Sequence, residues 1–341
     1  MKKYYKEINI ARGIAVLIVL LGHSFPDAEE GFFPALGYKW IYDFCYSFHM
    51  AAFFCISGFV NAKYFLAEKS DVFSVLIKKF KRLMIPYLFL SYASLIPKIL
   101  LNAYARNPVD AYSAWRILLG RSPDGSLWYL YVLFIYCLFT EIVHHFINRL
   151  GPKGKSICLS IIAVVFYFIG FFLRFDTETT IERLFGYYIY FVLGIVILLL
   201  YQRIKYIFHS GAALCLLVLT AILSCPFIVW KCPYIITAVA GIYVVLSAAI
   251  AIEKKEGVLC RAFACCGDNS YAIYILSYYV QQFVRVFCYR YMGWEYLPVV
   301  FLEAVLGLIL TLYFSVRILP KSRLLRILFV GEWAEDEDKN G

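Results

Sequence analysis

The first long apolar stretch of the chain, residues 10–25, carries an arginine and a histidine at a spacing that suits a shared task. His23 follows Arg12 by eleven residues, which in an α-helix is about three turns plus 20° and about 16 Å of rise. The two side chains therefore share one helix face. Ionisable groups are costly in lipid and usually face a protein interior or a wet cavity. The pattern predicts a functional pair, unless Arg12 only reaches the headgroups and His23 lies at the opposite interface.

The chemistry open to this pair is proton transfer and anion binding. Imidazole titrates near neutral pH, so His23 can act as a general base toward a hydroxyl. A guanidinium pairs well with phosphate, so Arg12 can hold an anionic group. Because the helix crosses the bilayer, such a site can be reached from both membrane faces.

The second apolar stretch adds further candidates in the sequence SFHMAAFFCISGFV, residues 47–60. His49 is predicted in the outer half of this span, level with His23, and Ser57 with Gly58 lies about two turns deeper. The structural alternatives are a buried histidine bonded to a neighbouring helix and a close helix crossing at Ser57 and Gly58.

A basic segment, KKFKRLMIPY at residues 78–87, places four cations within five positions. They are Lys78, Lys79, Lys81 and Arg82. Such a cluster suits a phosphate-bearing ligand. It is equally typical of the positive charge that retains a loop on the cytoplasmic side.

The elements that must position these residues are membrane helices. The chain is 62% hydrophobic and only 16% charged, which is outside the range of soluble domains. Apolar stretches long enough to cross about 30 Å of hydrocarbon recur throughout the sequence. We therefore predict an all-α, polytopic membrane helix bundle with about ten transmembrane helices. The predicted spans are 8–25, 40–62, 83–104, 127–147, 156–173, 181–201, 210–230, 233–252, 270–290 and 297–318.

The rest of the chain leaves no room for a soluble domain. Residues 1–330 are predicted to form one integral membrane domain. Residues 331–341 read GEWAEDEDKNG and form a short acidic tail, expected to be disordered because it is highly charged and poor in apolar residues. The 11 cysteines show no repeated pair of CxxC motifs, so no metal site is predicted.

The distribution of basic residues predicts the orientation in the membrane. Most of the 33 lysines and arginines fall at the amino terminus, in alternate loops and after the last span, whereas the opposite loops, to which Arg285 is assigned, hold fewer. Both termini are therefore predicted to be cytoplasmic, with the 26–38 and 106–126 loops outside. The net charge of +10 reflects this asymmetry and forms no continuous stripe that would bind nucleic acid.

Taken in order, these motifs resemble the acyltransferase-3 family of integral membrane acyltransferases. The resemblance rests on ARGIAVLIVLLGHSF, SFHMAAFFCISGF, KKFKRLMIPY, SLWYLYVLF and NSYAIYILS, and it runs from about residue 6 to 320. The chain is similar in length and in its amino-terminal sequence to the stand-alone, fucose O-acetylase-like members of the family. The resemblance implies transfer of an acyl group, usually acetyl from acetyl-coenzyme A (acetyl-CoA), to hydroxyls of extracytoplasmic sugars or glycans at the plasma membrane.

The family's residues carry over onto the matching positions of this chain. Arg12 and His23 match its essential first-helix pair, and Ser57 with Gly58 matches its second-helix motif. Lys79 and Arg82 match a basic pair that is usually two arginines, so Lys79 loses bidentate phosphate binding but keeps the charge. Where many relatives have a histidine after the SYAIY motif, this chain has Ser277, so a second histidine there is not required.

The resemblance implies a route across the membrane. The donor's phosphates are expected near Arg12 and the basic residues Lys79, Lys81 and Arg82. Ser57 is also assigned to donor binding. His23 would act as general base or would itself be acetylated.

Three residues are candidates for orienting His23, namely Asp43, Asp27 and His49. The sequence does not choose among them.

Two other classes of protein remain open on the residues alone. One is a transporter or flippase of a small polar solute or glycan, with Arg12 and His23 as ligand or proton-relay residues. The other is a membrane scaffold or sensor.

Overall fold

The structure of the protein is a computed structural model that describes residues 5–25, 36–65, 72–100, 109–123, 125–173, 180–225 and 234–333. Asp27, one of the three predicted partners of His23, lies outside these ranges. So do most of the predicted 26–38 loop and residues 334–341 of the acidic tail. In the ranges described, the chain forms helices and no strand, which confirms the predicted all-α fold.

Fifteen α-helices are described, and short π-helical or 3₁₀ turns extend several of them. The helices are α1 Lys6–Ser24, α2 Leu36–Tyr46, α3 His49–Phe65, α4 Val72–Lys79, α5 Ile85–Leu100, α6 Ser113–Leu118, α7 Trp128–Phe146, α8 Pro152–Leu173, α9 Thr180–Ile204, α10 Ser210–Leu223, α11 Tyr234–Lys255, α12 Val258–Asp268, α13 Ser270–Arg285, α14 Tyr296–Tyr313 and α15 Arg323–Leu325. The π-helical turns are Phe80–Met84, Val286–Tyr291, Phe314–Ile318 and Arg326–Val330, and Leu319–Lys321 is a 3₁₀ turn.

Eight helical segments in the described part of the chain are long and apolar enough to cross a membrane, which confirms a polytopic membrane protein. They correspond to eight of the ten predicted spans. The other two predicted spans, 210–230 and 270–290, correspond to the shorter helices α10 and α13. The predicted orientation, with both termini in the cytoplasm, stays a prediction.

The chain divides into two compact units. The first contains Met1–Ile56 and Leu200–Ile318, and the second contains Ser57–Leu199 and Leu319–Gly341. Each unit is thus assembled from two separate stretches of sequence. The prediction of one membrane domain over residues 1–330 stays a prediction.

In the first unit, α1 is the helix around which the others pack. It contacts α2, α11, α12, α13 and α14. Close packing against α12 depends on two glycines, because a methyl group on Gly13 would overlap the carbonyl oxygen of Phe263, and one on Gly267 would overlap that of Asn9. Small residues allow helix backbones to approach in this way. The buried Asn9 amide donates to the carbonyl of Ala264 at 3.1 Å and to Asp268 at 2.9 Å.

In the second unit, α3 and α9 cross closely at Gly58. A methyl group on Gly58 would overlap the carbonyl oxygen of Phe191, so this glycine has the packing role that the sequence left open. Aromatic rings fill the interface of α7 and α9, where the ring centroids of Tyr136 and Tyr188 lie 5.1 Å apart.

The predicted second span contains a break between α2 and α3, at Ser47 and Phe48. Backbone groups freed inside a membrane must find other partners. Here side chains supply them: the Ser47 hydroxyl donates to the carbonyl of Phe44 at 2.7 Å, and the Tyr234 hydroxyl donates to that of Tyr46 at 3.1 Å. The break therefore has specific support from within the first unit.

Candidate active site

Helix α1 carries both Arg12 and His23, as the sequence predicts. The helix runs without interruption from Lys6 to Ser24, so the two residues share a face and are separated by about 16 Å of rise. Both side chains are partly buried. The helix packs against five other helices of the first unit.

His23 lies in a cluster of aromatic and imidazole rings. Its Nδ1 atom is 3.0 Å from the hydroxyl oxygen of Tyr46. Its ring centroid lies 5.9 Å from that of Tyr46, 5.7 Å from that of Tyr278 and 6.5 Å from that of His49. The predicted approach of His23 and His49 is therefore present, through ring contact rather than a hydrogen bond.

His49 has a fixed proton arrangement. Its Nδ1 atom lies 2.8 Å from the carbonyl oxygen of Cys45. A carbonyl only accepts, so Nδ1 carries the proton and Nε2 of the neutral ring holds the lone pair. The side chain replaces a helical bond at the break before α3. His49 is thus a buried histidine with a local backbone partner, and it packs against the ring of the predicted base.

Asp43 lies one turn before Tyr46 on α2. Its carboxylate binds the ammonium of Lys39 at 2.8 Å, four residues earlier on the same helix. The described atom that hydrogen-bonds the imidazole of His23 is the hydroxyl of Tyr46. An orienting role for Asp43 stays a prediction.

The carboxyl end of α1, which presents His23, is held by two side chains of α13. The Gln281 amide donates to the carbonyl of Leu20 at 2.7 Å and to the hydroxyl of Ser24 at 2.8 Å. The Arg285 guanidinium donates to the carbonyl of His23 at 2.7 Å. The carbonyl of His23, the next-to-last residue of α1, has no helical partner, and a cation at the carboxyl end of a helix is also electrostatically favourable. We call Gln281 and Arg285 the α1 clamp.

The clamp is completed by a buried ion pair. Two nitrogens of Arg285 donate to the two carboxylate oxygens of Glu303 on α14, at 3.1 and 2.6 Å. The side chains are only 13% and 1% exposed. Such a bidentate pair fixes the guanidinium in one orientation, and with it the end of α1.

The sequence interpretation missed these residues. It assigned Arg285 to an outward loop, but the structure places it in α13 with a largely buried side chain. A signal was available: Glu303 is an acid inside an apolar span, and Gln281 and Arg285 are four residues apart on a predicted helix. Ionisable residues within a span are functional candidates with an expected partner.

The other predicted donor-binding cations, those of the basic segment, lie on α4 and the π-helical turn Phe80–Met84. Pro86 cannot donate to the carbonyl of Arg82, so the helical hydrogen-bond ladder shifts at this point. The amide of Ile85 donates to the carbonyl of Phe80, five residues back. The shift changes the directions in which successive cations point.

Within the second unit, the cations of this segment have different surroundings. Lys79 donates to the side-chain oxygen of Asn61. Lys81 lies 4.6 Å from the ring of Trp333, and Arg82 lies 3.8 Å from the carboxylate of Glu332. Lys81 and Arg82 are thus grouped beside the first residues of the predicted tail, whereas Lys79 points into the helices of the unit.

Ser57, the remaining predicted donor-binding residue, is part of a polar chain along α3. Its hydroxyl lies 2.6 Å from that of Tyr129, and its carbonyl accepts from the Asn61 amide at 2.7 Å. Asn61 in turn binds Lys79. These bonds link the middle of α3 to the basic segment.

The comparisons with known proteins decide the family. Residues 5–319 match the acyltransferase-3 family model, which is described as an acyltransferase domain. The chain belongs to the acyltransferase-3 family. No match was found among the curated proteins or among the solved structures.

As a member of the acyltransferase-3 family, the protein is a multi-pass membrane acyltransferase that uses an acyl donor and an acceptor. The match includes His23, the α1 clamp and the basic segment, and it ends before Glu332 and Trp333. The residues beside Lys81 and Arg82 at the end of the chain therefore lie outside the family match.

Proposed function

We propose that this acyltransferase transfers acetyl from cytoplasmic acetyl-CoA to a hydroxyl of an extracytoplasmic sugar or cell-surface glycan, in the plasma membrane. The observation that carries the proposal is the pair of hydrogen bonds made by the ring and the backbone of His23. Tyr46 contacts one ring nitrogen at 3.0 Å, and Arg285 binds the backbone carbonyl at 2.7 Å. An imidazole with one hydrogen-bonded ring nitrogen, on a helix end whose backbone is fixed, suits general-base catalysis.

The proposed reaction is direct transfer. His23 removes the proton from the acceptor hydroxyl as the hydroxyl oxygen attacks the thioester carbonyl. The carbon–sulfur bond breaks, and the departing thiolate takes the proton from the imidazolium to give CoA thiol. The products are the acetyl ester and CoA, so atoms and charge balance. In the alternative two-step route, acetyl is first transferred to His23 and then to the acceptor.

The function is tested with purified protein in nanodiscs, supplied with radiolabelled acetyl-CoA and a panel of sugars and polyprenyl-linked glycans. We expect CoA thiol release that depends on an acceptor and equals the acetyl transferred. A burst of one thiol per protein without acceptor would indicate the two-step route. No release with any acceptor, together with solute uptake by the same protein reconstituted into sealed liposomes, would overturn the proposal in favour of a transporter.

The proposed donor site depends on the basic segment. Lys81→Ala and Arg82→Ala should each raise the KM for acetyl-CoA, because each removes one charged partner of the donor phosphates. A charge-assisted hydrogen bond contributes about 1.5–3 kcal/mol, so the increase should be roughly 10–100-fold. Acceptor KM and folding should change little, because Arg82 is exposed and Lys81 is only partly buried. Initial rates over a donor titration measure the effect.

Lys78→Ala is the matched control for charge. Lys78 belongs to the same cation cluster and is exposed, so its loss weakens the positive-inside signal equally. Donor analogues lacking the 3′-phosphate provide a second control, because a variant that has lost the partner of that phosphate should not discriminate against them. If all three alanine variants changed the KM for acetyl-CoA equally, the donor-binding role would be contradicted. The segment would then have only a topological role.

A further inference from the structure

We propose that Tyr46 is a positioning residue that accepts a hydrogen bond from Nδ1–H of His23 and thereby leaves Nε2 free to take the acceptor's proton. This inference rests on the proposed function of His23 as the base. It names the group that selects the reactive tautomer, which neither the sequence motifs nor the family match assigns.

The starting observation is the 3.0 Å contact between the Tyr46 hydroxyl and His23 Nδ1. A phenol can donate or accept, and each choice fixes a different neutral tautomer of the imidazole. If Tyr46 donated, the proton would sit on Nε2, and that nitrogen could not remove a proton from a substrate. If Tyr46 accepts, Nδ1 carries the proton and Nε2 holds the lone pair. Only the second arrangement leaves Nε2 as a base.

The contacts of Tyr46 fix the position of its hydroxyl group relative to the imidazole of His23. Its ring stacks on that of Tyr42, with centroids 4.0 Å apart and planes inclined by 21°. The His49 ring packs edge-on against the Tyr46 ring, with the two centroids 4.7 Å apart. Its carbonyl accepts from the hydroxyl of Tyr234 at 3.1 Å. The ring is thus supported on its face and edge, and its backbone is fixed by α11.

The approach of Tyr46 to α1 also depends on the residue before His23. A methyl group added to Gly22 would lie 3.3 Å from a ring carbon of Tyr46 and 3.3 Å from the Cβ of Cys45. Either neighbour would have to move away by a few tenths of an ångström. Gly22 therefore permits α2 to bring the phenol within hydrogen-bond distance of the imidazole.

His49 supports the same arrangement from the other side. Because its Nδ1–H is committed to the carbonyl of Cys45 at 2.8 Å, its ring orientation is fixed by the helix break. That ring packs against both Tyr46 and His23. His49 thus acts on the base through packing, and Tyr46 acts on it through a hydrogen bond.

Tyr46→Phe should lower kcat roughly tenfold, which corresponds to about 1.4 kcal/mol, with an unchanged KM for acetyl-CoA. A purely structural role could also lower kcat, so the decisive test keeps the ring. Fluorinated tyrosines incorporated at position 46 make the phenol oxygen a progressively weaker acceptor and a stronger donor. If Tyr46 accepts from Nδ1–H, kcat should fall with each added fluorine, in slightly acidic buffer where these phenols stay neutral.

Position 38 provides the matched control for fluorination. Tyr38 lies on the same helix and contacts Phe25 and Tyr296 through its ring, so fluorination there should leave kcat within twofold of the parent. A rise of kcat with fluorination at position 46 would show that Tyr46 donates and would overturn the proposal. An unchanged kcat across that series would overturn it as well.

A second measurement separates this inference from the proposed function. Nitrogen-15 NMR of the parent protein with labelled histidine, assigned by comparison with His23→Ala, reports the His23 tautomer without any turnover. A protonated Nδ1 supports the inference even if no acetyl transfer is detected, whereas a protonated Nε2 in the neutral ring overturns it. Absence of transfer alone counts against the proposed function.

Discussion

His23→Ala is expected to lower acetyl transfer roughly 10²–10⁴-fold, the usual contribution of a general base. The loss should appear in kcat, because the donor's phosphates are proposed to bind the cations of the basic segment. Folding should be nearly unchanged, because His23 is one residue from the end of α1 and its backbone, not its ring, is bound by Arg285. Transfer rates and donor titrations in nanodiscs measure both effects.

Two histidines serve as comparisons for this variant. His145→Ala, at an exposed position near the end of α7, should behave like the parent. His49→Ala should reduce transfer less than His23→Ala, because His49 packs on the base, although losing its bond to Cys45 should lower stability. Near-normal transfer by His23→Ala would refute the general-base mechanism.

Glu303→Ala is expected to lower the free energy of unfolding by about 3–5 kcal/mol, because it leaves the guanidinium of Arg285 buried without its counter-charge. The same change releases the Arg285 side chain, so its bond to the carbonyl of His23 should weaken. We therefore expect a lower midpoint of thermal unfolding in detergent and lower acetyl transfer in the folded fraction.

A double variant distinguishes the charge from its positioning role. Arg285→Met combined with Glu303→Leu removes both charges and should recover much of the stability, since an apolar pair of similar volume can replace a buried ion pair. Transfer should stay low, because the carbonyl of His23 has lost its donor. Glu295→Ala, at an exposed position before α14, is the control and should change stability by less than about 0.5 kcal/mol. Parental stability of Glu303→Ala would contradict the structural role of the pair.

Properties carried by neighbours along one helix were readable from the sequence. The Arg12 and His23 pair was recognisable because the helical period alone places them on one face. The membrane spans followed from apolar length, and the cation cluster at 78–82 required only that charges be adjacent. The order of these motifs along the chain was also sufficient to recognise the family.

Properties set between helices were decided by the tertiary structure. Asp43, a predicted partner of His23, and Tyr46, which was not predicted, are three residues apart on α2. The packing of α2 against α1 at Gly22 brings the phenol of Tyr46 to the imidazole. Likewise, Lys79 and Arg82 appear equivalent in sequence. Lys79 ends α4 and bonds to Asn61, whereas Arg82 lies within the π-helical turn Phe80–Met84 and faces Glu332.

The contacts of the α1 clamp could not be predicted from the sequence. Arg285 is 262 residues from His23, and the hydrogen bond between them exists only because α13 packs along α1. The sequence shows that an arginine and an acid lie in apolar segments and must find partners, since a buried charge is costly. Which partners they find depends on how close the helix backbones approach, and that distance is set by small residues and side-chain packing across the whole unit.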